Sequence, residues 1–358
     1  MKTIFTSSAE AILVFSIVLG NAFGQIQYTV TDLGALQTTG YSRACGINNL
    51  GEVVGTASVG AYEHGFLYTG GKMVDLGSPN SDGDATGIND LGQVVGVSGS
   101  YAYIYTCGHR SNLGLLAGCN FSCATSINNS GQVVGFSQDD SLNMYAFSSD
   151  GKLMTALTML PGYGDSKATG INNHGVIVGD AMGPYDKRYV FIYDGGGMSV
   201  LDTLPGYEYN YANAINDVGQ VVGSAFSGTH SHAFLYCEGS MTDLGTLPGC
   251  TDSYAMDINE HGQIVGYSYS SSGASIAFLY SHGVITDLDS MLPLSSRWTL
   301  TTAFGINDSG EIVATGYNSA VSSRAHAVLL TPIPEPSTLV LLGIGAITLL
   351  TYAWRRKR

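Results

Sequence analysis

Tyrosine rings set beside carboxylates and amides suit the recognition of sugars, which offer apolar ring faces for stacking and hydroxyls for hydrogen bonding. Tyr163, Asp165, Tyr185, Asp186, Tyr207, Glu208, Tyr209, Asn210, Tyr211, Asp252 and Tyr254 supply that combination, most densely from Tyr207 to Tyr211. They are the candidate ligand-binding residues. Catalytic constellations are missing: the sequence holds no Gly-x-Ser-x-Gly elbow, no His-Glu-x-x-His and no Gly-Lys-Ser/Thr phosphate loop. No catalytic residue is assigned, and the chain reads as a non-enzyme.

Metal and thiol chemistry fare no better. Among the histidines His64, His109, His174, His230, His232, His261, His282 and His326, only His230 and His232 are close, and no third ligand follows. All eight read as ordinary polar loop positions. Seven Asn-Asn, Asn-Asp or Asn-Glu turns are rich in oxygen, yet a calcium loop gathers five or more oxygens and each turn offers one or two. Asx-turn chemistry explains them, no metal or cofactor is expected, and the acidic residues of the sugar-type set leave weak calcium binding open. Of the six cysteines, Cys119 and Cys123 form the one plausible local disulfide and the rest read as buried free thiols.

In the elements that must carry these residues, one phrase recurs seven times: Ile-Asn, Gly three residues after the Asn, then an apolar pair. It starts at Ile47, Ile88, Ile127, Ile171, Ile215, Ile258 and Ile306, at intervals of 41, 39, 44, 44, 43 and 48 residues. Spacings of roughly 40 to 45 residues fit a four-stranded propeller blade. Each phrase reads as a hairpin, followed by a strand such as Ala233-Phe234-Leu235-Tyr236 and a fourth such as Met241 to Leu247. The fourth strand also precedes the first phrase, as Tyr28 to Gly34, and is missing after Ala327 to Leu330. A solenoid has no use for such a shift, whereas a propeller closes its ring with it. The fold class is therefore all-β: a seven-bladed β-propeller of four-stranded blades, closed by the N-terminal strand, plus one C-terminal transmembrane helix. The sugar-type residues then fall on one face of the ring, in the longer, variable connections. The Asn turns occupy the other face.

The Ile-Asn-x-x-Gly hairpin, followed by His232-Ala233-Phe234 and Asp243-Leu244-Gly245, resembles the HAF repeat family of bacterial extracellular proteins over nearly all of residues 25–331. Only one unit keeps the His-Ala-Phe triplet intact, and the third and fourth units lack Asp-Leu-Gly. The resemblance implies secretion and a repeat fold, and brings no chemistry with it.

Both ends read as addresses. Lys2, an apolar run from Ala11 to Leu19 and Ala22-Phe23-Gly24 make residues 1–24 a signal peptide cleaved before Gln25. Residues 332–358 hold Pro334-Glu335-Pro336, an uncharged run from Thr338 to Trp354 and Arg355-Arg356-Lys357-Arg358. About 17 apolar residues just cross a bilayer, and the terminal cations hold that end in the cytoplasm. This order resembles the PEP-CTERM sorting signal of Gram-negative bacteria, which implies an exosortase-type processing partner, an inner-membrane intermediate and delivery to the cell surface or its exopolysaccharide matrix. A permanent anchor would be made by the same residues.

The chain carries 14 Lys and Arg against 28 Asp and Glu, a net charge of -14. Residues 25–331 keep nine and 26 of these, about -17, so nucleic acid is not an expected partner. The function expected is that of an exported, noncatalytic repeat protein binding glycan or another matrix component through its variable face. The alternatives are a structural matrix or coat protein without a ligand and, third, a polysaccharide lyase or glycosidase built on two convergent carboxyls.

Overall fold

The computed structural model describes residues 26–334 except 78, 79, 319 and 321. The expected signal peptide, the C-terminal helix, Glu335 and Pro336 lie outside the described residues. Among those described, no helix is long and apolar enough to cross a membrane. The chain divides into a unit of Val30–Thr331, the propeller, and one of Met1–Thr29 with Pro332–Arg358, inside which the Ile333 N–H donates to the Gln27 carbonyl at 2.7 Å.

The described residues form seven four-stranded sheets. Blade one consists of Ser42–Ile47, Val53–Val59, Tyr62–Thr69 and Lys72–Asp75, from the ring axis outward. Blades two to six repeat this order. Blade seven takes its three inner strands, Thr299–Ile306, Ile312–Asn318 and Ser322–Pro332, from the end of the chain and its outermost, Tyr28–Asp32, from the beginning. The Leu33 N–H donates to the Ala327 carbonyl at 3.0 Å, the same bond that Leu76 makes to Gly65 within blade one. The expected closure through the N-terminal strand is thus observed.

That strand ends at Asp32, two residues earlier than expected. The Asp32 carboxylate accepts the Gly34 N–H at 2.8 Å, and Gly34 takes φ +73°, so the chain turns away. Asp75 and Asp243 do the same to Gly77 and Gly245. Asp-Leu-Gly is a strand terminator, because a short Asx turn bonds its own backbone two residues on. Blades three and four, which lack both its Asp and its Gly, still form a fourth strand, shortened to Met154–Ala156 and Met198–Val200.

Packing follows from the alternation of each strand. Phe66, Phe147, Phe191, Phe234 and Phe278 of the third strands are fully buried, and the apolar clusters bridge pairs of blades, as Val134 and Ala146 of blade three pack with Ile177 and Phe191 of blade four. The recurrent Gly of the second strand is dictated by close approach: a Cβ on Gly96 would lie 1.9 Å from the Asp84 carbonyl oxygen.

The seven hairpin turns lock the blades to one another. The first Asn of each phrase (Asn48, Asn89, Asn128, Asn172, Asn216, Asn259 and Asn307) is 3–5% exposed. Each side-chain oxygen accepts the backbone N–H four residues on. Each side-chain nitrogen donates to the main-chain carbonyl of the equivalent Asn in the next blade, at 2.9–3.1 Å, and Asn307 returns to Asn48. A second ring runs beside it at the next position: the N–H of Asn49, Asp90, Asn129, Asn173, Asp217, Glu260 and Asp308 each donates to the side chain of its successor, at 2.7–3.0 Å. The turns are therefore inter-blade fasteners as well as hairpins, with oxygens committed to neighbouring amides.

Candidate functional site

On the opposite face, the connections between second and third strands carry one feature that recurs around the ring. The six most exposed tyrosines among the described residues, Tyr62, Tyr101, Tyr145, Tyr185, Tyr269 and Tyr317, all flank this connection, one in every blade but the fifth. Only Tyr185 of these was singled out above. The signal was in the repeat register, since each lies at the end of a second strand, within the connection or at the start of a third, but a single Tyr in a strand reads as ordinary strand composition.

The expected set falls into two groups. In blades four and five, Arg188 bridges Asp165 and the fully buried Asp180, the latter at 2.5 Å, and Lys167 approaches Asp180 from the other side at 3.5 Å. Burial pushes the Asp180 carboxyl up from the usual range, against the pull of Lys167 and Arg188. The Lys167 ammonium lies 5.9 Å from the centre of the Tyr211 ring, and burial raises the Tyr211 hydroxyl. Lys187 pairs with Glu208 at 3.0 Å. Tyr185 is 89% exposed, and Tyr185 and Asp186 hold left-handed backbone at φ 63° and 56°, with Asp165 at 28°. Three such non-glycine residues beside one ion cluster mark a strained segment, of the kind enriched at functional sites.

Other members of this group serve packing. Tyr207 leans on the core of Leu201 and Leu204 and on His232 (5.7 Å between ring centres), Tyr163 on Tyr189 (5.7 Å) and Tyr209 on Phe226 (6.2 Å). Tyr209, Asn210 and Tyr211 belong to the strand Tyr209–Ile215 rather than to the expected loop. Asn210 is fully buried, with neither side-chain polar atom hydrogen-bonded. In blade six, Asp252 accepts the Ser231 N–H at 2.8 Å, and Tyr254 stacks on Tyr267 at 4.9 Å with Tyr269 edge-on to both.

The ring axis is a channel with a cavity of about 220 Å³, walled by Thr86, Thr125, Thr169, Asn213 and the carboxyl of Asp257. Burial pushes Asp257 up to about 7, while the N–H groups of Ile306 and Ile258 pull it down. At the turn face the channel meets the second hydrogen-bonded ring, where Asp90, Asp217, Glu260 and Asp308 line a cavity of about 180 Å³. Among the described residues, no three His, Cys, Asp or Glu side chains are grouped to hold a metal ion.

Three expectations are corrected. His64, His232 and His326 lie on third strands, not in loops, each 2.8–2.9 Å from the Asp of an Asp-Leu-Gly motif: Asp75, Asp243 and Asp32. The signal was available, because each of these histidines occurs in a unit that keeps the Asp. Cys119 and Cys123 are unbridged, and both belong to the strand Cys119–Ile127. Four residues along a strand span about 13 Å, twice the reach of a disulfide. Of the four cysteines expected to be buried free thiols, Cys107 is exposed and Cys45, Cys237 and Cys250 are partly exposed.

Residues 332–357 match the PEP-CTERM protein-sorting motif. The PEP-CTERM motif directs export through the membrane to the cell surface and is associated with exosortase processing. Upstream of it, residues 166–331, from the innermost strand of blade four to the end of the propeller, match a family described as a protein of unknown function (DUF3466). No curated protein matches the chain. Among solved structures, the β-propeller domain of the Trilobed protease from Pyrococcus furiosus is similar at 9% identity and TM-score 0.55, covering 84% of this chain and 95% of that one. That ring has an open velcro topology, unlike the strand closure here. YCF48 bound to D1 peptide (11%, 88% and 99%, TM-score 0.52) and puromycin hydrolase (12%, 82% and 54%, TM-score 0.52) share the fold at the same remove.

Proposed function

We propose that this PEP-CTERM protein enters the export pathway through a signal peptide cleaved before Gln25, is processed by an exosortase-type enzyme from an inner-membrane intermediate, and holds a glycan of the extracellular matrix on its variable face without transforming it. The observation that carries the binding reading is the set of six exposed tyrosines flanking the connection between second and third strands around one face. Their rings offer stacking platforms, and the loops beside them supply acceptors such as the carboxylates of Asp186 and Glu208. The reading is noncatalytic because Asp165 and Asp180, the two carboxyls of the blade-four cluster, are both engaged by Arg188. Acidic side chains of this face can add weak calcium binding.

A glycan array probed with the exported protein, with and without EDTA, tests this. Replacing Tyr101 and Tyr185 together by Ala should weaken retention by about 1 to 3 kcal/mol, by analogy with aromatic stacking on bases, and leave the melting temperature unchanged. The double hydrogen-bonded ring favours a second reading, a rigid matrix or coat component with no discrete ligand. That reading prevails if the folded protein retains no glycan.

A further inference from the structure

A cavity of about 280 Å³ opens on the variable face where the ring closes, apart from both tyrosine clusters of blades four to six. Three segments build it. The link between the closing strand and blade one supplies Gln37, Gly40 and Tyr41; the start of the third strand of blade one supplies Tyr62 and Glu63; and blade seven supplies Arg324. Ring closure therefore supplies one of its walls, Arg324.

Its chemistry is specific. Tyr62 exposes its ring at the mouth, as a platform. The Tyr41 hydroxyl donates to one Glu63 carboxylate oxygen, which leaves the other as an acceptor. Burial, reinforced by Glu63, pushes the Tyr41 hydroxyl up to about 12, so it stays a donor at neutral pH. The Gln37 side-chain oxygen accepts the Gly60 N–H at 3.1 Å, which orients its amide nitrogen as a donor, and the Arg324 guanidinium adds more. Space is kept by small residues: a Cβ on Gly40 would lie 2.8 Å from the Ser58 hydroxyl.

We propose that this seam cavity is a subsite for a neutral hexopyranose unit, Tyr62 stacking on the ring, Glu63 accepting from its hydroxyls and Gln37 and Arg324 donating to them. The proposal rests on the glycan-binding reading above and names the ligand class. Neutrality follows from charge. Glu63 and Arg324 cancel locally, and nine cations against 26 carboxyls over residues 25–331 repel a polyanionic chain.

Calorimetric titration of the exported protein with a neutral hexose hexasaccharide and with a uronate hexamer of equal length tests it. Binding of the neutral oligomer should exceed that of the uronate at least tenfold. Tyr62→Ala and Glu63→Gln should each weaken it tenfold or more, and Tyr185→Ala less than threefold. Since Glu63 also anchors Tyr41, Arg324→Gln serves as a second rim variant that leaves the Tyr41–Glu63 bond in place and should weaken binding at least threefold, read well below the variant's own melting temperature. Seam variants that bind like the parent would overturn the site while leaving the glycan reading to Tyr185 and its equivalents, and tighter binding of the uronate would overturn the ligand class. A parent that binds neither oligomer overturns the seam subsite, and the array then decides the broader reading.

Discussion

Asp257 occupies in blade six the place that Gly46, Gly87, Gly170 and Gly305 hold in blades one, two, four and seven, just before the Ile of the repeat. Its carboxyl faces the channel and ties blade six to blade seven through the Ile306 N–H at 2.9 Å. With a folded-state pKa near 7 against 3.8 in the free residue, the folded protein binds this proton more tightly than the unfolded chain does. Its contribution is therefore greatest below pH 4, is lost as pH rises to about 7, and changes little above. Asp257→Asn, which keeps one acceptor, should leave stability near pH 4 almost unchanged and raise it at pH 8 by roughly 1 to 3 kcal/mol. Denaturant melts of both proteins at the two pH values check this, and a parallel pH dependence in both would refute it. The substitution was visible in the sequence as a carboxylate in a run of glycines. Its channel position was not, since a period-2 strand does not say which face looks onto an axis.

At the scale of the strand, the closing element combines several separable contacts. Asp32 reaches His326 at 2.9 Å, the Leu33 N–H bonds the Ala327 carbonyl, and the Ala327 N–H donates to the Ser42 hydroxyl of blade one at 2.9 Å. Deleting Gln25 to Gly34 removes the outermost strand of blade seven and leaves Ser322–Pro332 as an unpaired edge, an invitation to edge-to-edge association. The expected outcome is aggregation on concentration and a melting temperature lowered by many degrees, followed by light scattering and calorimetry. A deletion variant as soluble and heat-stable as the parent would show that closure rests on the turn rings alone. How the fastening works was illegible beforehand, because a repeat count fixes which strand is missing and not which side chains meet across 294 residues of chain.

For the molecule as a whole, two kinds of information are joined in one chain: a ring and an address. Glu335 is the single charge between the propeller and the apolar run that ends at Trp354. Glu335→Ala should leave the protein in the inner membrane of a host with an exosortase, as fractionation with an antibody to the propeller would show; normal surface delivery would mean that the triplet is not what the processing enzyme reads.

Taken alone, the sequence determined the number of blades, their four-stranded make-up, the one-strand shift and the sorting motif, because each is written as a local pattern: a period, a strand alternation, a triplet before an apolar run. Tertiary structure alone decided which of the tyrosines stand in solvent. Tyr207 and Tyr209 looked like the centre of a site and are braced against His232 and Phe226, while Tyr62, Tyr101, Tyr145, Tyr269 and Tyr317 face outward. It also decided that the seven buried asparagines form closed rings, that His64, His232 and His326 pair with aspartates, and that a cavity opens at the seam. The physical reason is shared. Exposure and partnership are set by what another blade places opposite a residue, some 40 positions away or at the far end of the chain, and closing the ring is what brings those positions together.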